Sequence, residues 1–159
     1  MKATIFSFAC FTLVLGFGFG SCGKKCEIQR SDVNSGVIVA NSVVYPISGY
    51  MTLSMGGDYV VDSLHSYYNC FNYNIDGGDR TPIDYNQYKI LANPTKTSCN
   101  VSFDRSVTVD HDLDKVTYKI IASYCENCGS EMYVENYVLV PTFPDFYQVE
   151  YVVEYIKFN

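Results

Sequence analysis

Val101-Ser102-Phe103-Asp104-Arg105-Ser106-Val107-Thr108-Val109 alternates with a period of two: Val101, Phe103, Arg105, Val107 and Val109 share one row, and Ser102, Asp104, Ser106 and Thr108 the other. Successive side chains of a strand point to opposite faces, so a stretch of this kind puts one row inside and one row in water. Lys115 to Tyr124 repeats the pattern, with Val116, Tyr118, Ile120, Ala122 and Tyr124 in the apolar row and Ile121 as the exception in the other. The connector Asp110-His111-Asp112-Leu113-Asp114 is short and polar, which makes the two runs a hairpin.

Strand patterns continue outward in both directions. Tyr133 to Val140 reads as a strand that Pro141 ends, and Thr142 to Asp145 as a loop. Tyr147, Val149, Tyr151, Val153 and Tyr155 then share one face of a long final strand, opposite Gln148, Glu150 and Glu154. Upstream, Gly36 to Tyr45, Gly49 to Met55 and Tyr59 to Leu64 read as three strands separated by Pro46 and Gly56-Gly57. Tyr67 to Ile75 reads as another, turned by Asp76-Gly77-Gly78-Asp79, and Lys89 to Leu91 as one more. Thr81-Pro82-Ile83-Asp84 offers an N-cap followed by Pro at the first helical position, and Tyr85 and Tyr88 follow at helical spacing, so a short helix is predicted over 82–88. Over residues 22–159, Val, Ile, Tyr and Thr number 48 against 11 for Leu, Ala and Met, a balance that fits pleated surfaces better than helices. The fold class read from this is all-β: an antiparallel sandwich or partly open barrel of about seven to nine strands with one short helix.

Composition narrows the function. The 159 residues suffice for one domain. Eleven Lys plus Arg stand against 17 Asp plus Glu, for a net charge of −6, so no nucleic-acid partner is expected, since phosphate neutralisation needs clustered cations. Apolar residues make up 48% of the chain, enough to bury a core rather than stay disordered.

Residues 1–21 differ from the rest. Lys2 is followed by the apolar run Ile5 to Leu15, then by the small residues Gly16, Gly18, Gly20 and Ser21. A basic start, a short apolar centre and a small-residue end make a secretory signal, and the run is too short and Gly-rich for a membrane span. Phe19-Gly20-Ser21-Cys22 resembles the lipobox of bacterial lipoproteins, with Phe19 where Leu is usual. The resemblance implies a diacylglycerol thioether on Cys22 and an acylated terminus, several chains being needed for firm anchoring. Residues 22–35, polar after Lys24 and Lys25, then read as the lipidated end and a tether, and 36–159 as a single β-rich domain. The expected location is the cell envelope, on the outer or inner membrane facing periplasm or exterior; the alternative is a soluble secreted product.

Export brings an oxidising compartment, so disulfides are the default. Of seven cysteines, Cys10 leaves with the signal. Lipidation of Cys22 leaves five, with Cys26 odd; without it six pair evenly. Cys70, Cys99, Cys125 and Cys128 are the disulfide candidates, with three possible connectivities. Cys125-Glu126-Asn127-Cys128 is a CxxC between strand-like runs rather than at a helix N-terminus, where a redox thiol would be activated. No second CxxC offers a zinc ribbon, and His65 and His111 have no ligand spacing, so neither metal nor cofactor is expected.

The spacing Asp110, Asp112, Asp114 opens like a calcium loop, but Lys115 and Ile121 stand where an EF-hand needs Gly and Glu. No Gly-x-Ser-x-Gly occurs, and the glycine pairs lack a phosphate-loop Lys. Asn100-Val101-Ser102 is a glycosylation sequon that matters only in a eukaryote. Tyr67, Tyr68 and Tyr73 surround Cys70 and form a possible binding surface, each combining a flat apolar face with a polar tip. The expected function is a non-enzymatic, membrane-anchored envelope lipoprotein that binds a protein or glycan partner. The alternatives are a secreted thiol-disulfide protein using Cys125 and Cys128, and a structural subunit of an envelope assembly.

Overall fold

The computed structural model describes residues 28, 32–47, 57–63, 70–98, 100–125 and 131–158. Residues 1–21, read as an export signal, Cys22, Cys26, the strand expected over 49–55, His65, Tyr67, Tyr68, Cys99 and Cys128 lie outside those residues.

Among the described residues the chain is all-β. The hairpin forms β7 (Val101–Asp110) and β8 (Lys115–Cys125), paired antiparallel with Val101 opposite Tyr124 and Asp110 opposite Lys115. Phe103, Val107, Val116, Tyr118, Ile120 and Ala122 from the two apolar rows are buried. The acidic connector is a turn: Asp110 Oδ1 accepts the N–H groups of Asp112 and Leu113, both at 3.0 Å. That carboxylate mimics a backbone acceptor and so closes the turn itself.

Strand direction departs from the antiparallel expectation. With β1 (Val33–Gly36) and β10 (Gln148–Phe158), the hairpin makes a four-stranded sheet of order β1-β7-β8-β10. Both outer strands run parallel to their neighbours, Val33–Gly36 beside Asp104–Val107 and Gln148–Phe158 beside Lys115–Cys125. Parallel neighbours require a crossover. β9 (Glu131–Pro141) supplies it for β8 and β10 by running in a second sheet with β3 (Tyr59–Val61) and β6 (Tyr88–Ser98), in the order β3-β6-β9. A third sheet holds β2 (Ser42–Pro46), β4 (Phe71–Ile75) and β5 (Thr81–Pro82). The described strands number ten rather than seven to nine, and the arrangement is sandwich-like, with no sheet closed into a barrel.

Two apolar cores result from this stacking. Leu91, Val138 and Val140 turn to a core shared with Phe103, Val107, Tyr118 and Ile120. Their sequence neighbours Ile90, Ala92 and Leu139 turn to a second core with Val44, Val61, Phe71 and Ile83. β6 and β9 are therefore buried on both faces over residues 90–92 and 138–140, which explains the continuous apolar runs there where the hairpin alternates. Val149, Tyr151 and Val153 of β10 pack on the first core, as their shared row predicts.

The helix expected over 82–88 is replaced by a single turn. Thr81 and Pro82 pair with Tyr73 and Asn72, and Tyr88 already belongs to β6. Between them the Asp84 carbonyl accepts the N–H groups of Gln87 and Tyr88, both at 3.0 Å, and the Asp84 carboxylate takes Asn86 N and Nδ2 at 3.0 Å and Gln87 Nε2 at 2.9 Å. The expected cap, Thr81 with Pro82 after it, is not made, because both residues pair in β5; Asp84 caps the turn instead, and strand pairing on both sides leaves no residues along which a helix could propagate. The strand expected over 36–45 is two: Gly36, at φ 74°, ends β1, and Asn41, at φ 58°, turns the chain into β2. Among the described residues, strand structure thus begins at Val33, inside the stretch read as tether.

Candidate functional site

Arg105 stands in the core-facing row of β7 between Phe103 and Val107, both of which are buried. A charge in such a row must be paired and hydrogen-bonded. Arg105 Nε donates to Asn136 Oδ1 at 2.8 Å, and Nη1 and Nη2 both reach Asp32 Oδ2 at 3.3 Å. The guanidinium carbon lies 5.0 Å from the Phe103 ring centroid. The Arg105 side chain is 12% exposed, that of Asp32 52%. The other Asp32 oxygen, Oδ1, accepts the Phe103 N–H at 3.0 Å.

Asn136, fully buried on β9, carries the polar contact across the sandwich. Its Nδ2 donates to Thr95 Oγ1 at 2.8 Å, the Thr95 hydroxyl donates to Asn93 Oδ1 at 2.6 Å, and Asn93 Nδ2 donates to Asp58 Oδ1 at 2.6 Å. The result is a continuous side-chain relay from Asp32 through Arg105 of the first sheet and Asn136, Thr95 and Asn93 of the second to Asp58. Tyr118 lies against it, its hydroxyl donating to the Asn136 carbonyl at 3.4 Å. Burial raises the Tyr118 pKa well above the ordinary tyrosine value, with the Arg105 charge pulling the other way.

Two cavities meet at the Asp32–Arg105 pair. One, of about 410 Å³, is bordered by Asn34, Asn41, Ser42, Glu135 and Tyr137 as well as the pair. The other, of about 510 Å³, is walled by Asn100, Val101, Phe103, Met132 and Val134. Both fall in the size range of small-ligand pockets. They differ in charge. The first adds the Glu135 carboxylate to the pair; around the second, among the described residues, the pair holds the only ionisable side chains, and Asn100 shares the wall with the apolar Val101, Phe103, Met132 and Val134.

Of the described residues singled out from the sequence, Asn100 and Val101 of the sequon border the second cavity, and the others sit elsewhere. Tyr73 is half-buried on β4, 6.1 Å ring to ring from Tyr88, and packs against the second core. Tyr67 and Tyr68 lie outside the described residues. Cys70, half-buried, precedes β4, and Cys125, almost fully buried, ends β8; among the described residues no bridge joins the two. The Asp110, Asp112 and Asp114 side chains belong to an exposed turn. No three of His, Cys, Asp or Glu come together as a metal-holding group among the described residues. Sequence pattern alone does not bring Asp32, Arg105 and Asn136 together as a site, yet it holds one signal: a lone arginine in the apolar row of the clearest strand.

Fold and cleft together define a sandwich-like all-β protein with a pre-oriented, mostly buried arginine between two cavities. No protein-family model, no curated protein and no solved structure matches the chain.

Proposed function

We propose that the protein is an exported envelope lipoprotein, anchored through Cys22, that acts by binding rather than by catalysis and uses the Arg105 cleft to do so. The anchor would hold the β-rich part at the membrane and raise its local concentration there. Bridges among Cys70, Cys99, Cys125 and Cys128 belong to the same proposal, as staples suited to an oxidising compartment.

The observation that carries the binding reading is the arginine itself. Folding does not call for it, since replacing buried ionic groups by apolar ones of similar volume is often neutral or stabilising. Here the row-mates Phe103 and Val107 show that apolar side chains fill the same face. An arginine kept in that row, held by Asn136 and bordered by two cavities, is what a recognition site needs.

Two measurements test the proposal. Cells expressing the full chain and fed labelled fatty acid incorporate the label, and Cys22→Ala abolishes both incorporation and membrane partition; unchanged labelling contradicts the anchor. Purified full-length protein titrated with fractionated envelope extract gains thermal stability from at least one fraction by mass action, and Arg105→Gln loses that gain. A gain that survives Arg105→Gln, or none from any fraction, contradicts the cleft.

A further inference from the structure

The weak member of the Arg105 site is Asp32. Charge-assisted N–H···O bonds to carboxylates run at about 2.7–2.9 Å, and arginine prefers to grip both oxygens in parallel. Here both Nη atoms converge on one oxygen, Oδ2, at 3.3 Å, while Oδ1 is turned away to the Phe103 N–H. The guanidinium is held from behind by Asn136, which Thr95 holds in turn, so its orientation does not depend on Asp32. Asp32 immediately precedes β1, a strand whose four residues are all exposed. The strand's own ties to β7 are polar and few. Beyond the backbone ladder they include the Val37 N–H to the Val107 carbonyl at 2.9 Å and the Ser35 hydroxyl to the Arg105 carbonyl at 3.4 Å. Within β1 itself little apolar burial opposes its displacement; the nearest core anchor is Ile38, two residues beyond its end.

We infer that Asp32 is an internal stand-in for a ligand carboxylate, and that the cavity of about 510 Å³ beside it takes a carboxylate carried on a compact apolar body. This rests on the binding reading above and names its ligand class. The carboxylate replaces Asp32 on Nη1 and Nη2 with two-oxygen geometry, and the apolar body lies against Val101, Phe103, Met132 and Val134. Charge selects this cavity over its neighbour, because Glu135 borders the other one and repels an anion. Two sources share the chemistry: a free organic acid, and the C-terminus of a polypeptide ending in an apolar residue.

The test uses the full-length protein in detergent and four probes: 4-methylpentanoate, its amide, a short peptide ending in a free Leu carboxylate, and the same peptide amidated. Binding is read by calorimetry and by the Arg105 Nε–H NMR resonance. One or both acids bind saturably and shift that resonance, while neither amide does. The acid that binds more tightly identifies the source. Asp32→Asn removes the competing charge but keeps an acceptor for Phe103 N–H, and tightens acid binding about tenfold, as expected if Asp32 occupies the guanidinium about nine-tenths of the time. Arg105→Gln abolishes binding. The inference is overturned if both acids fail with wild type and Asp32→Asn alike, if the amides bind as well as the acids, or if Asp32→Asn leaves affinity unchanged. Failure here combined with an Arg105-dependent gain from an envelope fraction removes only the ligand class. Failure of both removes the cleft.

Discussion

β1 and β10 border the same sheet, both run parallel to their neighbours, and each is introduced by an aspartate paired with a sequestered cation. Asp145, three residues before β10, grips Lys89 Nζ at 2.6 Å, and Lys89 lies 4.5 Å from the Phe143 ring centroid. Asp32, one residue before β1, meets Arg105 at 3.3 Å, and Arg105 lies over Phe103. The strands behind the two pairs are unlike. β10 registers with β8 over its whole length, packs Val149, Tyr151 and Val153 on the core, and adds the ion pairs Lys115–Glu150 at 2.7 Å and Lys119–Glu154 at 2.8 Å. β1 registers over four exposed residues. The same device is a lock where apolar burial backs it and a strap where only polar contacts do. Exposed ion pairs contribute about 0–1 kcal/mol each, so burial and not charge makes the difference.

The contrast can be broken most severely at the β10 side. Tyr118 is fully buried, sits edge-on to Tyr151 at 5.8 Å, and holds β8 to β10 through the core. Tyr118→Ala is expected to cost about 3–5 kcal/mol in urea unfolding, as for other large aromatic truncations. A loss near that for an exposed residue would mean that β8 and β10 do not share the core described.

At the β1 side the corresponding change is Gly36→Val. Gly36 adopts φ 74°, and a Cβ there would lie 2.0 Å from the Val107 carbonyl oxygen, so the substitution forces β1 off β7. Because the strap buries little, the expected cost is only a hydrogen bond or two, about 1–2 kcal/mol. Its mark is local: the Val37 and Phe103 amides lose protection while those of β8 keep theirs. A loss as large as that of Tyr118→Ala would make β1 part of the core unit.

The smallest effect sharpens the lock. The hydrogen bond from Lys89, then its charge, holds the Asp145 carboxyl below its ordinary value of 3.8. A carboxyl whose folded pKa is depressed contributes stability that is complete above the unfolded value and is lost as pH falls through the folded one. Asp145→Asn therefore flattens the acid side of the stability–pH profile, below about pH 4, and leaves the rest of its shape alone. An unchanged acid limb would show that the pair is not formed in solution.

How much of this is legible in the sequence depends on the range of the physics. The β7–β8 hairpin and the inward row of β10 are written in local alternation, and the structure has both. Direction is not: alternation reports which face is buried, so the parallel pairing of β8 with β10, which depends on β9 crossing to another sheet, leaves no local trace. At 82–88 the expected cap gives way to strand pairing by Thr81, Pro82 and Tyr88, and only the Asp84 turn between them remains. Arg105 is visible as a charge in an apolar row, but its partners Asn136 and Asp32 lie 31 and 73 residues away, beyond the reach of any periodicity.

The central claim is that Asp32 and β1 leave Arg105 without the core opening. Native-state hydrogen exchange on the full-length protein measures this directly, because Val37 N–H is bonded to Val107 and Phe103 N–H to Asp32 itself. The account predicts that these two amides exchange through a low-energy, denaturant-independent opening while the β8 amides exchange only with global unfolding. Exchange of Val37 and Phe103 at the same free energy and denaturant dependence as β8 would contradict it.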